Sequence, residues 1–418
     1  MSETAALPPA DLPPADLPRA DLLSGVRVLD LTNVLSGPYC TYQMALLGAE
    51  VIKVENPDGG DLARQLGAST ELNREFLGTS FLAQNAGKKS VSLNLKTPEG
   101  RDLFQRLVKD ADVVVENFRP GVMDRLGVGY EALKEINPGI IFCAISGFGQ
   151  EGPLRGNPAY DQIVQGMSGV MSITGDQDSA PLRVGYPLCD TLGGLSSAFA
   201  IASALYARKE TGKGRFIDVS MLDSTISVLG WVVSNYLLAG VEPRAVGNQN
   251  MTAAPSGVFT AADGPLNIAA NKQEQFEALA RQIGREDLIA DPRFAGREDR
   301  KAHRAALNVE INAALARRPA AEWEAELNRA GIPSGRVMTV PEVLASEQVK
   351  SRRLVQHIPF DQAGLDGIEV VRSGFRFGDS EPAARSAPPL LGEHNEEIYG
   401  EIGLSPAEIA QLRERKVV

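Results

Sequence analysis

Short unbroken apolar runs alternate with amphipathic stretches through the first half of the chain. Val26-Arg27-Val28-Leu29-Asp30-Leu31 has the residue types of a strand. Gly37-Pro38 opens a predicted helix through Leu47, and Gly48 stops it. Ala49 to Glu55 is a second strand. The rhythm continues with strands within Lys88–Leu95, Ala111–Asn117 and Ile140–Ile145, and with a helix from Thr97-Pro98 to Val108. Apolar runs of this length, joined by helical crossovers, predict a parallel sheet buried on both faces. Ligands in such sheets gather beyond the carboxyl ends of the strands. Asn33–Gly37, Asn117–Gly121 and Ser146–Gly149 all fall at such ends.

Beyond position 190 the pattern predicts a helix to about Lys209, a turn at Gly212-Lys213-Gly214, a strand at Phe216–Val219 and helix over much of Asp223–Leu238. The composition shifts at Gly240–Gly257, read as a linker. Gly257–Ala270 is a predicted hairpin around Asp263-Gly264. Two or three amphipathic helices follow over Gln273–Leu327, the last anchored by Trp323. The chain turns back near Gly331–Gly335. Val355–Val418 holds strand-like pieces, a Pro388-Pro389 turn and a final helix near 406–415. The expected organisation is a flexible tail at 1–24, a large α/β domain from 25 to 224, a smaller α+β domain over 225–330, and completion of the large domain by 331–418.

Composition narrows the function. The 418 residues are 43% apolar and 23% charged, with a formal net charge of -11. That balance argues against nonspecific nucleic-acid binding while leaving room for a local basic pocket. Cys40, Cys143 and Cys189 lack zinc or disulfide spacing, which fits a reducing, cytoplasmic compartment. His303, His357 and His394 all lie late in polar stretches, against a histidine triad or metal cluster. The near-repeat Pro8-Pro9-Ala10-Asp11-Leu12, Pro13-Pro14-Ala15-Asp16-Leu17 lacks the basic start and apolar stretch of a signal peptide. No run is read as long and apolar enough to span a membrane.

Asp190 is in an odd place, before Thr191-Leu192-Gly193-Gly194 and the apolar run Leu195–Ala202. A carboxylate at the start of a helix is either a structural N-cap or a poised nucleophile, and the segment alone favours the cap. Tyr160-Asp161 puts a second carboxylate at the edge of an apolar run, able to pair with Asp190 and shift its pKa. Gly147-Phe148-Gly149-Gln150-Glu151-Gly152 is a sharply turning loop or a source of backbone donors. A dinucleotide fold is disfavoured, because Asn33-Val34-Leu35-Ser36-Gly37-Pro38 lacks the glycines that let backbone approach a pyrophosphate.

Ordered segments along the chain resemble family III CoA-transferases, the formyl-CoA/carnitine type. They are Gly25–Leu31, Ser36-Gly37-Pro38, Leu47–Glu55, Asn85–Leu95, Val115–Gly121, Thr211–Gly214, Gly331-Ile332-Pro333 and Ala387–His394. The resemblance covers Gly25 to Val418. It implies an interlocked homodimer that transfers CoA between acids, with acyl-CoA as substrate and no permanently bound cofactor or metal. It makes Asp190 the nucleophile, has Asp161 orient it and gives Tyr160 a substrate contact. Val34, Leu93, Asn117 and Arg125 are implied at the CoA site, with Arg125 toward phosphate. Oxyanion donors are expected from Gly147, Gly149 or Gly257. Leu35 and Asn56 depart from the family pattern, as does the short Asn248–Gly257 segment, which points away from oxalate or formate toward succinyl-CoA and a short dicarboxylate. Two alternatives share the fold: a 2-methylacyl-CoA racemase, for which Tyr160 stands where a histidine is needed, and a non-catalytic CoA-binding subunit.

Overall fold

The computed structural model describes residues 17–418. Six parallel strands form one sheet in the order β3-β2-β1-β4-β5-β6. They are β1 (Arg27–Asp30), β2 (Glu50–Glu55), β3 (Lys89–Ser92), β4 (Val113–Glu116), β5 (Ile141–Ser146) and β6 (Arg215–Ser220). Each overlaps a predicted strand. The strand order reverses direction at β1, so the loops after β1 and β4 open a crevice between them.

Alternation along the strands fills two cores. Leu29, Ile52, Val91, Val114 and Phe142 face one side, against the helices Pro98–Val108, Asn395–Glu401 and Pro406–Glu414. Val28, Val51, Val113, Val115 and Cys143 face the other, with Met44 and Ala45 of the helix Ser36–Leu46 and Cys189, Ile201 and Leu205 of the helix Leu188–Thr211. Each buried valine contributes about 1.5–3 kcal/mol relative to exposure. Local signals set the helix ends. Thr97 Oγ accepts the Gly100 N–H at 3.0 Å with Pro98 in the first turn, and Gly212, at φ +67°, ends the long helix.

The chain divides into two compact units. The larger contains the sheet and runs to Ser168, then Val184–Val233 and Val349–Val418; the smaller is Gly169–Arg183 with Ser234–Gln348. In the smaller unit, β7 (Ser256–Thr260), β8 (Pro265–Ala269) and β9 (Ser334–Arg336) form an antiparallel sheet. Trp323, 3% exposed, donates its indole N–H to the Leu315 carbonyl at 2.9 Å. Residues 273–329 form five helices rather than two or three. In the larger unit, β10 (Val355–Ile358) and β11 (Ile368–Val371) pair antiparallel.

The expected boundaries of 225 and 330 shift for physical reasons. Met221 of the helix Met221–Val228 packs into the core of the larger unit, while Ser334–Arg336 pairs with β8 in the smaller. The excursion at 169–183 carries no local signal; the Gly247 N–H reaches back to the Gly175 carbonyl at 2.7 Å. Of the expected flexible tail at 1–24, residues 1–16 with most of the repeat lie outside the described residues. Residues 18–23 are fixed instead. Ala20 is 1% exposed and donates its N–H to the Glu381 carbonyl at 2.9 Å, and the Leu23 N–H bonds the Leu47 carbonyl at 2.9 Å. The membrane reading also needs correction, because Leu188–Thr211 is long and apolar enough to cross a bilayer by length and composition. In this fold one face of it packs into the core of the larger unit through Ile201, Ala204 and Leu205, while Leu195, Phe199 and Tyr206 are exposed.

Candidate active site

Asp190 stands in the first turn of the helix Leu188–Thr211 and is not its cap. Pro187 holds the cap position and supplies no side-chain bond. The first-turn donors are met from another helix. Asp161 Oδ1 accepts the Cys189 N–H at 2.7 Å and the Asp190 N–H at 3.3 Å. Asp161 begins the helix Asp161–Met167 and is 7% exposed. Its other oxygen accepts Gln165 Nε2 at 2.7 Å, one turn along. Gln165 also donates to the Tyr186 carbonyl at 3.1 Å and accepts the Val184 N–H at 2.8 Å. Gln165 thus ties the extended approach to Asp190 to the residue that caps it, a role with no local signal in the sequence.

The consequence is a half-buried Asp190 carboxylate with no side-chain hydrogen bond among the described residues. Burial, then the nearby Asp161 charge, pushes its pKa up to about 7. A group held there titrates at working pH, whereas an ordinary surface aspartate does not. Tyr160, next to Asp161, is 69% exposed. Cys189 is buried, with its thiol pushed up to about 11 mainly by desolvation, so it is inert beside the carboxylate.

The second turn of this helix is locked against Ser36–Leu46. A Cβ on Gly194 would lie 2.5 Å from the Ser36 carbonyl oxygen and 3.1 Å from the Tyr39 ring. The Asp190 helix therefore touches the residue that follows the loop leaving β1. In that loop Val34 has φ +68°, strained for a branched residue, and its N–H bonds Asp61 Oδ1 at 2.9 Å. Asp61 pairs with buried Lys53 at 2.9 Å. Asn117, at the end of β4, braces the same loop from the other side. Its Oδ1 accepts the Asn33 N–H and its Nδ2 donates to the Asn33 carbonyl, both at 2.8 Å.

Between these strand ends lies a cleft of about 360 Å³, lined by Asn33, Leu93, Phe118 and Val122 with Asn56 and Lys96 among its polar residues. Leu93 is 2% exposed and forms part of the apolar floor. Arg125 ends the helix Val122–Arg125, is exposed, and makes no ion pair among the described residues. Its guanidinium lies over Gly121, where a Cβ would meet it at 3.3 Å. The structure thus places Val34, Leu93 and Asn117 just beyond the ends of β1, β3 and β4, with Arg125 at the end of the short helix that follows β4. Lys96 and Phe118 at the same cleft are not singled out by sequence, because nothing local marks one exposed lysine among 42 basic side chains.

The oxyanion candidates separate. A Cβ on Gly147 would overlap that of Ala159 at 2.2 Å, which makes Gly147 a packing glycine. The Gly149 N–H is already donated to Ser146 Oγ at 2.9 Å, so in this conformation it is not a free donor. Gly257 lies in the smaller unit, where a Cβ would come within 2.5 Å of the Asn248 carbonyl.

The sequence profile described as CoA-transferase family III matches residues 23–395. An acetyl-CoA:oxalate CoA-transferase of Acetobacter aceti is 42% identical over 384 residues, 92% of this chain and 96% of that protein. A succinate–glutarate CoA-transferase of Agrobacterium fabrum is 36% identical, with 91% and 95% coverage. Among solved structures, a CAIB/BAIF family protein from Brucella suis superposes with a TM-score of 0.81 at 37% identity, covering 91% of this chain and 99% of that one.

Proposed function

The chain belongs to CoA-transferase family III, and on that premise we propose that it moves CoA from succinyl-CoA to a short dicarboxylic acid through covalent intermediates on Asp190. It is a CoA-transferase; the donor, the acceptor and the residue roles are the proposal. The observation that carries it is the unbonded, half-buried Asp190 carboxylate on a helix turn whose own donors are taken by Asp161.

In the proposed cycle an Asp190 oxygen adds to the donor thioester carbonyl, the C–S bond breaks, and CoA leaves as thiolate. The thiolate attacks the aspartyl carbonyl of the mixed anhydride, releasing succinate and leaving an aspartyl-CoA thioester. The acceptor carboxylate attacks that thioester and expels thiolate again. The thiolate then takes the acceptor's acyl group and restores Asp190. No proton is consumed, and each intermediate keeps the activation of the original thioester. Asp161 positions the nucleophile, and Tyr160 faces the acids.

The acceptor class draws support from relatives named for oxalate, glutarate and D-citramalate, all short dicarboxylates. Incubation with succinyl-CoA or acetyl-CoA and a panel of such acids, with thioesters followed by mass, tests the reading. New thioesters without net CoA release support it. Deuterium exchange at the acyl α-carbon without any acceptor would indicate racemisation instead, and binding without turnover a subunit role. A homodimer completes the proposal, supported by exposed Phe199 (77%) and Tyr206 (72%) on the Asp190 helix. Light scattering reads its mass.

Two outcomes follow from the geometry. Because Asp190 must be ionised to attack, turnover on the donor side falls about tenfold per pH unit below its pKa of about 7 and levels above it. Asp161→Asn removes the neighbouring charge, lowers the Asp190 pKa and moves that limb toward acid, while loosened positioning lowers kcat by up to about 100-fold. A pH–rate profile of the two proteins checks both. Arg125→Ala raises KM for acyl-CoA about tenfold with kcat little changed, and the penalty vanishes with 3′-dephospho-CoA thioesters if Arg125 meets that phosphate.

A further inference from the structure

A cavity of about 310 Å³ opens on the opposite side of the sheet from the Asp190 helix, where Phe142 points away from the core that holds Cys189. Its apolar wall is Met123 with the rings of Tyr130, Phe142 and Phe216, whose centroids lie 5.6 to 6.2 Å apart. Two sheltered polar groups line it with unused bonding capacity. Glu116, at the end of β4, is 5% exposed, and only one of its oxygens has a partner, the Phe118 N–H at 2.7 Å. Gln150 Nε2 is sealed from solvent and has no acceptor among the described residues. Buried donors of this kind are normally satisfied, so their convergence on an open volume marks it as a place for a ligand.

We infer that this cavity is a second ligand site, separate from the cleft lined by Asn33, Leu93 and Phe118, that takes the carboxylate of a short aliphatic acid. A turn of the Gln150 side chain brings its sealed Nε2 to the carboxylate beside the Arg155 guanidinium, and the Glu116 carboxyl closes it from the sheet. The aliphatic tail lies against Met123 and the three rings. Glu116 can donate because burial, opposed by its Phe118 bond and reinforced by Asp124, pushes its pKa up to about 8. A carboxylic acid kept neutral this way is a good donor to an anion. The other charged or titratable groups around it are Asp124 and Glu131 on the two helices that border the cavity, the Tyr130 phenol, Arg155, and the Cys143 thiol through the sheet. Lys134 pairs with Glu131 at 3.6 Å and lies over the Tyr130 ring. Asp124 and Glu131 oppose an anion, so binding is weak. A protonated amine would suit those two residues but would leave Gln150 Nε2 without an acceptor and require Glu116 to ionise against its burial.

The pH response separates these occupants. Neutral Glu116 is needed to receive a carboxylate, so affinity weakens about tenfold from pH 7 to pH 9, whereas an amine would bind more tightly. The experiment soaks 4-bromobutyrate into crystals of the whole protein and locates bromine by anomalous scattering. The same probe is titrated by calorimetry at both pH values. Bromine against Met123 and Phe142, with the tenfold weakening, is the expected result. Glu116→Gln keeps a donor and retains binding without the pH response, and Gln150→Leu weakens it at least tenfold. A bromine peak only beside Asp190, affinity that rises toward pH 9, or n-butylamine bound in preference would overturn the inference. The soak uses the parent protein, so it stays decisive even if a variant fails to fold.

Discussion

Asp190→Ala is expected to fold as well as the parent and to transfer CoA at least about 10⁴-fold more slowly, the scale at which removal of a covalent nucleophile is felt. The stability half of this expectation separates catalysis from capping. Were Asp190 the cap of its helix, alanine would cost about 1 kcal/mol. Here Asp161 meets the Cys189 and Asp190 N–H groups, and Asp190 contributes only a buried charge beside a like charge. Its removal relieves that repulsion, so the denaturation midpoint holds or rises, as at many functional sites. Borohydride added during turnover with succinyl-CoA marks residue 190 in the parent protein. Full activity in the alanine variant, or a parent that is never marked, rejects the covalent mechanism.

The second large effect is structural. Lys88→Met is expected to destabilise the larger unit by about 3–5 kcal/mol, because it leaves a buried carboxylate without its partner. Lys88 is 1% exposed, and its Nζ bonds Asp30 at 3.0 Å, Thr41 Oγ and Asn85 Oδ1 at 2.8 Å, and the Pro38 carbonyl at 3.1 Å. Burial outweighs Asp30's charge and lowers the Lys88 pKa to about 8, while Asp30 stays well below the ordinary carboxylate range; its burial opposes that fall, and the charges of Lys88 and Lys53 drive it. Lys53 continues the chain of charges to Asp61, which holds the strained Val34. The variant therefore loosens the cleft as well as the core. The double variant Asp30→Asn with Lys88→Met recovers part of the loss if the two act as a pair, and urea denaturation of the four proteins measures that coupling.

These two sites show why some of the molecule is readable in the sequence. β1, β2, β4 and β5 are legible as short runs rich in buried apolar residues, the pattern of strands covered on both faces, whereas β3 and the half-exposed β6 are mixed in sequence. The hairpin at Asp263-Gly264 and the ends at Thr97-Pro98 and Gly212 carry equally local signals. Asp161 and Asp190 can be read as a possible carboxylate pair from the residues, but only the family resemblance gives them catalytic roles, since 29 residues separate them. That Asp161 caps the helix bearing Asp190, and that Gln165 holds Asp161, are tertiary facts with no local trace. The same holds for the boundary of the smaller unit, which depends on Ser334–Arg336 finding β8. Glu116 reads as one more strand residue, because its burial comes from distant segments.

The close seat of Gly194 on the Ser36 carbonyl has an evolutionary corollary. Side chains at 193 and 194 would pry the Asp190 helix away from Ser36 and Tyr39, so a mutational library selected for new acid partners would keep that pair of positions nearly invariant. Its winners would accumulate instead at Leu35, Tyr160 and Tyr186, which adjoin the packed segments along the chain without bearing their weight. Chemistry is fixed at the joint, and diversity is free at its margins.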